Sequence, residues 1–155
     1  MTFASTDGWT DVTFTRAAVP SVEPSEVLCA VEVVTRFWSR EDPDQVGELV
    51  QDGLTRFEQL PLERHDLQRL LTELTEWLNL PMAAWRTAPF VGTYGLGAAA
   101  LPSVSMSFRA GDRPASVRAR IAIEAERSTF TAEFTADNSG LEGLRAALAA
   151  LLGPS

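Results

Sequence analysis

The chain has no lysine, and only one histidine, one cysteine and one tyrosine among its 155 residues. Each shortage removes a class of function. A lone cysteine, Cys29, excludes an internal disulfide framework. In an apolar stretch, with no histidine nearby, it reads as a small hydrophobe. One histidine and one cysteine leave no H-E-x-x-H and no paired-cysteine metal motif, so no metal or cofactor is expected. No run approaches the ~18 apolar residues of a membrane-spanning helix, and the N-terminus shows neither the basic nor the apolar region of a secretory signal. The expected location is therefore the cytoplasm, without a membrane partner. All thirteen basic residues are arginine, which with the wealth of Ala, Gly, Pro and Leu fits the codon bias of a GC-rich bacterial genome. Twenty-one acidic residues leave a net charge of −8, which argues against a nucleic-acid backbone as partner. It suits solubility, or a basic protein partner.

What is present points to a folded α+β domain. A hydrophobic share of 45% against 22% charged is ordinary for a globular chain, and at this length ~70% of the unfolded surface can be buried. Residues 9–153 are expected to form a single domain, with residues 1–8 loose. The clearest stretch runs from Ala115 to Leu152. Val117, Ala119, Ile121, Ile123 and Ala125 alternate with Arg118, Arg120, Ala122, Glu124 and Glu126, and Phe130, Ala132 and Phe134 alternate with Thr129, Thr131, Glu133 and Thr135. This period of two predicts two strands, 115–127 and 128–136. Leu141, Leu144, Leu148, Leu151 and Leu152 then recur at helical spacing. Ser139 and Glu142 form a capping box for that helix, and Gly153 and Pro154 end it.

Upstream, Val104, Met106 and Phe108 alternate with serines and Arg109, giving a strand at 104–110. Strands are also expected at 9–17 and at 26–38, the latter central because both faces are apolar at its start. Leu67, Leu70, Leu71, Leu74, Trp77 and Leu78 make one stripe of a helix from Glu63 to Asn79, bracketed by Pro61 and Pro81. The remaining segments read less cleanly. Val46–Val50 suggests a helical turn, 54–60 a short strand with neither face clean, and 82–90 a strand closed by Pro89. The Gly-rich stretch 91–102 reads as a loop or a hairpin corner. No internal repeat stands out. The simplest assembly is one antiparallel, meander-like sheet of about five to seven strands with both helices on one face. The other face stays wet and carries Arg109, Arg118, Arg120, Glu124, Glu126 and Glu133, beside a loop containing Tyr94. That charged ladder is the expected partner surface.

Tests for chemistry return bland readings. Gly92-Thr93-Tyr94-Gly95-Leu96-Gly97 has the wrong order for a dinucleotide fingerprint and lacks the Lys-Ser/Thr of a phosphate loop. Asp137-Asn138-Ser139 lacks the spacing of a calcium loop and reads as a helix cap. His65, in the first turn of the long helix, has no nucleophile to serve. Glu124 and Glu126 alternate with arginines on a solvated face, without the cleft a carboxylate pair would need. Trp77 belongs to the helix stripe, and Trp38 and Trp85 fall at strand ends where an indole sits half-buried. No catalytic residue is assigned.

Phe134-Thr135-Ala136-Asp137-Asn138-Ser139-Gly140-Leu141, followed by the leucine-spaced helix, resembles the end of a bacterial immunity family, the WapI-like contact-toxin immunity proteins and their actinobacterial relatives. The mid-chain helix is similar at Leu62-Glu63-Arg64-His65-Asp66-Leu67-Gln68-Arg69-Leu70. The likeness spans roughly residues 25–152, with Asn138 where Gln is commoner. It implies a non-enzymatic protein that neutralises a cognate, basic toxin domain by binding it, as a monomer or homodimer. An acidic binder would associate rapidly with such a domain. The competing reading is a carrier of a small or lipid-like ligand, with a cavity between helices and sheet lined by Phe37, Trp77, Met106 and Phe130. An enzyme with an unrecognised site is the third.

Overall fold

The computed structural model describes residues 2–18, 23–39, 48–85, 87–97 and 101–153. In chain order the elements are β1 (Thr2–Ala4), β2 (Thr10–Arg16), β3 (Glu26–Ser39), β4 (Glu48–Glu63), α1 (Arg64–Leu78), α2 (Met82–Trp85), β5 (Gly92–Gly95), β6 (Ser103–Ala110), β7 (Val117–Ala125), β8 (Ser128–Ala136) and α3 (Asn138–Leu152). The α+β class holds, but the single sheet does not. There are two separate four-stranded antiparallel sheets, ordered β1-β2-β3-β4 and β5-β6-β7-β8. β4 runs directly into α1 and the chain leaves the first sheet there; among the described residues β5 pairs only with β6, so the edges of β4 and β5 stay apart.

The topology repeats although the sequence does not: each sheet is a four-strand meander followed by a 15-residue helix. We call the first sheet A and the second sheet B. Their inward faces share one apolar core. Phe3 of β1 is fully buried and lies 4.9 Å from Phe134 and 6.4 Å from Phe108 of sheet B, ring centre to ring centre. Residues 2–4, within the stretch expected to be loose, therefore supply a central side chain. Backbone bonds also link the sheets: Thr6 N donates to Thr135 O (2.8 Å), and Glu63 N to Leu96 O (3.0 Å).

The last helix crosses to the first half. α3 follows sheet B but packs over β1 and β2 of sheet A, beside α1. The approach to β1 is close because Gly140 and Gly143 face it. A Cβ added at Gly143 would meet Thr2 O at 2.3 Å, and one at Gly140 would meet Ala4 O at 2.6 Å. Arg16 of β2 ties down the far end, donating from Nη2 to Leu151 O (2.8 Å) and Gly153 O (3.1 Å). α1 in turn reaches sheet B. Arg69 lies over the Tyr94 ring, and Trp77 meets Phe90, which packs on Phe108.

Several local expectations change. The cap of α3 is Asp137, whose carboxylate accepts from Gly140 N at 3.0 Å, so the helix starts ahead of Ser139. An aspartate is as good a cap as a serine. Residues 82–85 form α2 instead of a strand. Its Trp85 stacks on Trp77 and donates to Trp77 O (2.9 Å), while the Trp77 indole donates to Ala88 O (2.7 Å). The short strand at 54–60 is the middle of the 16-residue β4. A bulge hides its pattern: Val31 pairs with Phe57 but Cys29 with Leu60, so one residue of β3, Ala30, faces two of β4, Glu58 and Gln59, with Gln59 at φ 56°. The inward positions are thus 55 and 57 before the bulge and 60 and 62 after it. Val46 lies outside the described residues, as do the side chains of Phe37 and Trp38; Val50 belongs to β4.

Candidate partner-binding face

Alternation on β6, β7 and β8 sorts the side chains of sheet B cleanly. Val104, Met106, Phe108, Val117, Ala119, Ile121, Ile123, Phe134 and Ala136 are buried. The outward set holds Ser103, Ser105, Ser107 and Arg109 on β6, Arg118, Arg120, Ala122 and Glu124 on β7, and Thr129, Thr131, Glu133 and Thr135 on β8. Register then decides which of them meet. Thr93, Ser107, Arg120 and Glu133 lie in one row across the four strands, and Arg109, Arg118 and Thr135 in the next.

The two rows make a compact ionic cluster. Arg109 Nη2 donates to Glu133 Oε1 at 2.7 Å and Arg118 Nε to the same oxygen at 3.0 Å. Arg118's hydrogen bond, and after it the charges of Arg118, Arg109 and Arg120, hold the Glu133 carboxyl below the usual carboxylate range. The Arg120 side chain makes no ion pair and no hydrogen bond among the described residues. Two of the three arginines therefore share one carboxylate, with the third across from it. Together with Thr93, Ser107 and the edge of Phe108 they border an open concavity of about 260 Å³.

Of the expected surface residues, the structure brings together Arg109, Arg118, Arg120 and Glu133. Glu124 is exposed on the same face but four residues along β7 from Arg120, about 13 Å at strand rise, and Glu126 is exposed in the β7–β8 turn. Tyr94 does not join them. It is buried, packed against Phe90 and Phe108 under the Arg69 guanidinium, and burial, then Glu73, raises its hydroxyl's pKa. Thr93 is the outward residue of β5. The alternation in that stretch would have shown this had its Gly-rich flanks not read as loop.

The other chemistry-bearing residues sit apart. Burial pushes the Cys29 thiol up to about 12, which removes the thiolate a nucleophile requires. The His65 side chain is 90% exposed, 3.9 Å from Asp66. Among the described residues no three of His, Cys, Asp and Glu gather as a metal site would require, and no helix is long and apolar enough to cross a membrane. Of the side chains expected to line a carrier cavity, the three described are engaged in packing: Trp77 with Trp85 and Phe90, Met106 in the core, and Phe130 against Phe57 at 5.5 Å.

The outward face of sheet A has the opposite balance. Arg56 donates from Nη1 to Glu32 Oε2 (3.0 Å) and from Nε to Glu58 Oε1 (2.9 Å), and Arg36 pairs with Asp11. Leu54, 56% exposed, lies on this face with half-buried Val34.

No protein-family model matches the chain, and neither a curated protein nor a solved structure matches it significantly.

Proposed function

We propose that the chain is a non-catalytic protein-binding module of the immunity type, which neutralises a toxin domain by occupying it, and that the outward face of sheet B is its contact surface. The observation that carries this reading is the contrast between the two sides of one sheet. The inward side is closed by packed aromatic and aliphatic groups, while the outward side is left uncovered by both helices and presents arginines and hydroxyls. Arg is enriched where interfaces are strongest. The overall charge of −8 favours approach of a domain that is basic as a whole. At the arginine cluster the same domain has to present acidic groups.

The test is binding of the C-terminal domain encoded by the adjacent gene, measured by calorimetry. A one-to-one complex is expected, weakened about 100-fold or more by the triple change Arg109→Glu, Arg118→Glu and Arg120→Glu. No complex at tens of micromolar, or one indifferent to the triple change, would overturn the reading.

A further inference from the structure

The arginine cluster is placed against the interest of folding. Arg109 and Arg118 are direct cross-strand partners, and like charges directly opposite one another destabilise a sheet. Arg120, on the next outward position of β7, adds a third positive group; it lies directly across from Glu133, but its side chain makes no ion pair or hydrogen bond among the described residues. Glu133 answers two of the three, which leaves a local excess of two positive charges on a chain whose net charge is −8. A local excess of like charge that the fold's own ion pairs leave unbalanced is where an anionic ligand is to be sought. From the geometry we infer that the concavity bordered by Arg109, Arg118, Arg120, Thr93 and Ser107 is an oxyanion-recognition subsite. Its occupant is the carboxylate of an acidic side chain on a protein partner.

Three features fit that chemistry. A guanidinium offers a planar fork that matches two carboxylate oxygens. Among the described residues Arg120's fork is unpaired, and those of Arg109 and Arg118 are oriented in advance by a single Glu133 oxygen, Oε1. The Ser107 and Thr93 hydroxyls lie in the same row as Arg120 and can add neutral donors. Glu133 acts as a positioning residue: it steers two arginines but also competes with the incoming anion. The converse arrangement on sheet A, one arginine between two glutamates, offers nothing to an oxyanion and serves as the internal control.

This inference rests on the proposed protein-binding role and names the chemistry of one contact within it. The full chain, labelled for amide and arginine Nε resonances, is titrated at fixed ionic strength with a capped glutamate-rich hexapeptide, with inorganic phosphate, and with sodium chloride as the blank. The peptide is expected to move the resonances of Thr93, Ser107, Arg118 and Arg120. Arg120→Gln should weaken it about tenfold, Glu133→Gln should strengthen it a few-fold, and Arg56→Gln on sheet A should leave it unchanged. The gain in Glu133→Gln is the outcome that a merely structural cluster would not give. Absence of localised shifts, or shifts that survive Arg120→Gln, would overturn the subsite. Phosphate moving these resonances where the peptide does not would overturn its assignment to protein carboxylates. A toxin domain that binds Arg120→Gln with undiminished affinity removes the subsite alone, whereas peptide binding without any toxin-domain complex removes the protein-binding role alone.

Discussion

In the first half of the molecule a single arginine, Arg56, lies between Glu32 and Glu58; in the second a single glutamate, Glu133, lies between Arg109 and Arg118. Both clusters sit on the outward face of a four-strand meander, followed in each case by a helix of equal length. The inward faces show no such inversion, since both are aliphatic and aromatic and feed one core. The difference teaches where this architecture tolerates change. A core position is fixed by volume and dryness, whereas an outward position on a sheet has only cross-strand neighbours to satisfy, so charge there is free to follow a partner.

The strongest way to break the comparison is to remove what makes the halves one body. Phe3 belongs to sheet A by hydrogen bonding and to sheet B by packing. Phe3→Ala should cost about 3–5 kcal/mol, with both halves still unfolding together in urea. A loss below about 1 kcal/mol, or two separate transitions, would mean that the halves stand independently.

The packing of α3 on the first half is tested next. In an isolated helix Gly→Ala gains about 1 kcal/mol. At Gly143 the new methyl would press on the Thr2 carbonyl of the other half, so Gly143→Ala should instead cost about 1–3 kcal/mol. Stabilisation would show that α3 does not lie against β1. A smaller asymmetry concerns the helix starts. α3 is capped by the Asp137 side chain, while α1 has no side-chain cap at Glu63. Asp137→Ala should cost about 1 kcal/mol, and Ser139→Ala and Glu63→Ala at most about 0.5 kcal/mol each. Equal losses at Asp137 and Ser139 would restore the capping box.

Much of sheet B and both long helices were legible from period alone, because β6, β7, β8, α1 and α3 keep one phase throughout. Sheet A was less so, for a physical reason visible at Gln59: the bulge shifts the inward set from Phe57 to Leu60, and a reader who keeps strict alternation assigns Leu60 to the wrong face. The split into two sheets was illegible because strand pairing is a property of space, and nothing in the residues of β4 or β5 declares that their edges stay apart. The candidate face followed the same rule. Alternation placed Arg109, Arg118, Arg120 and Glu133 on one side, but only register could tell that these four converge while Glu124 stands off and Tyr94 points inward.

The subtlest test compares the two ionic clusters by pH. Glu133 is held below the usual carboxylate range, chiefly by the hydrogen bond from Arg118. A carboxylate depressed in the folded state contributes stability that is fully present above its unfolded value and lost as pH falls through its folded value. Glu133→Gln should therefore lower the melting temperature at neutral pH, and the deficit should close on acidification below the ordinary carboxylate range. Because the cluster is exposed, the effect should be the smallest of those considered and should shrink with added salt. Arg118→Gln should return the Glu133 titration, followed by carboxyl resonances, toward its ordinary position. A deficit independent of pH would mean that Glu133 contributes by packing and that the three arginines do not act on its charge. The neighbouring arginines would then have lost the restraint that sets them apart from the Arg56 cluster across the molecule.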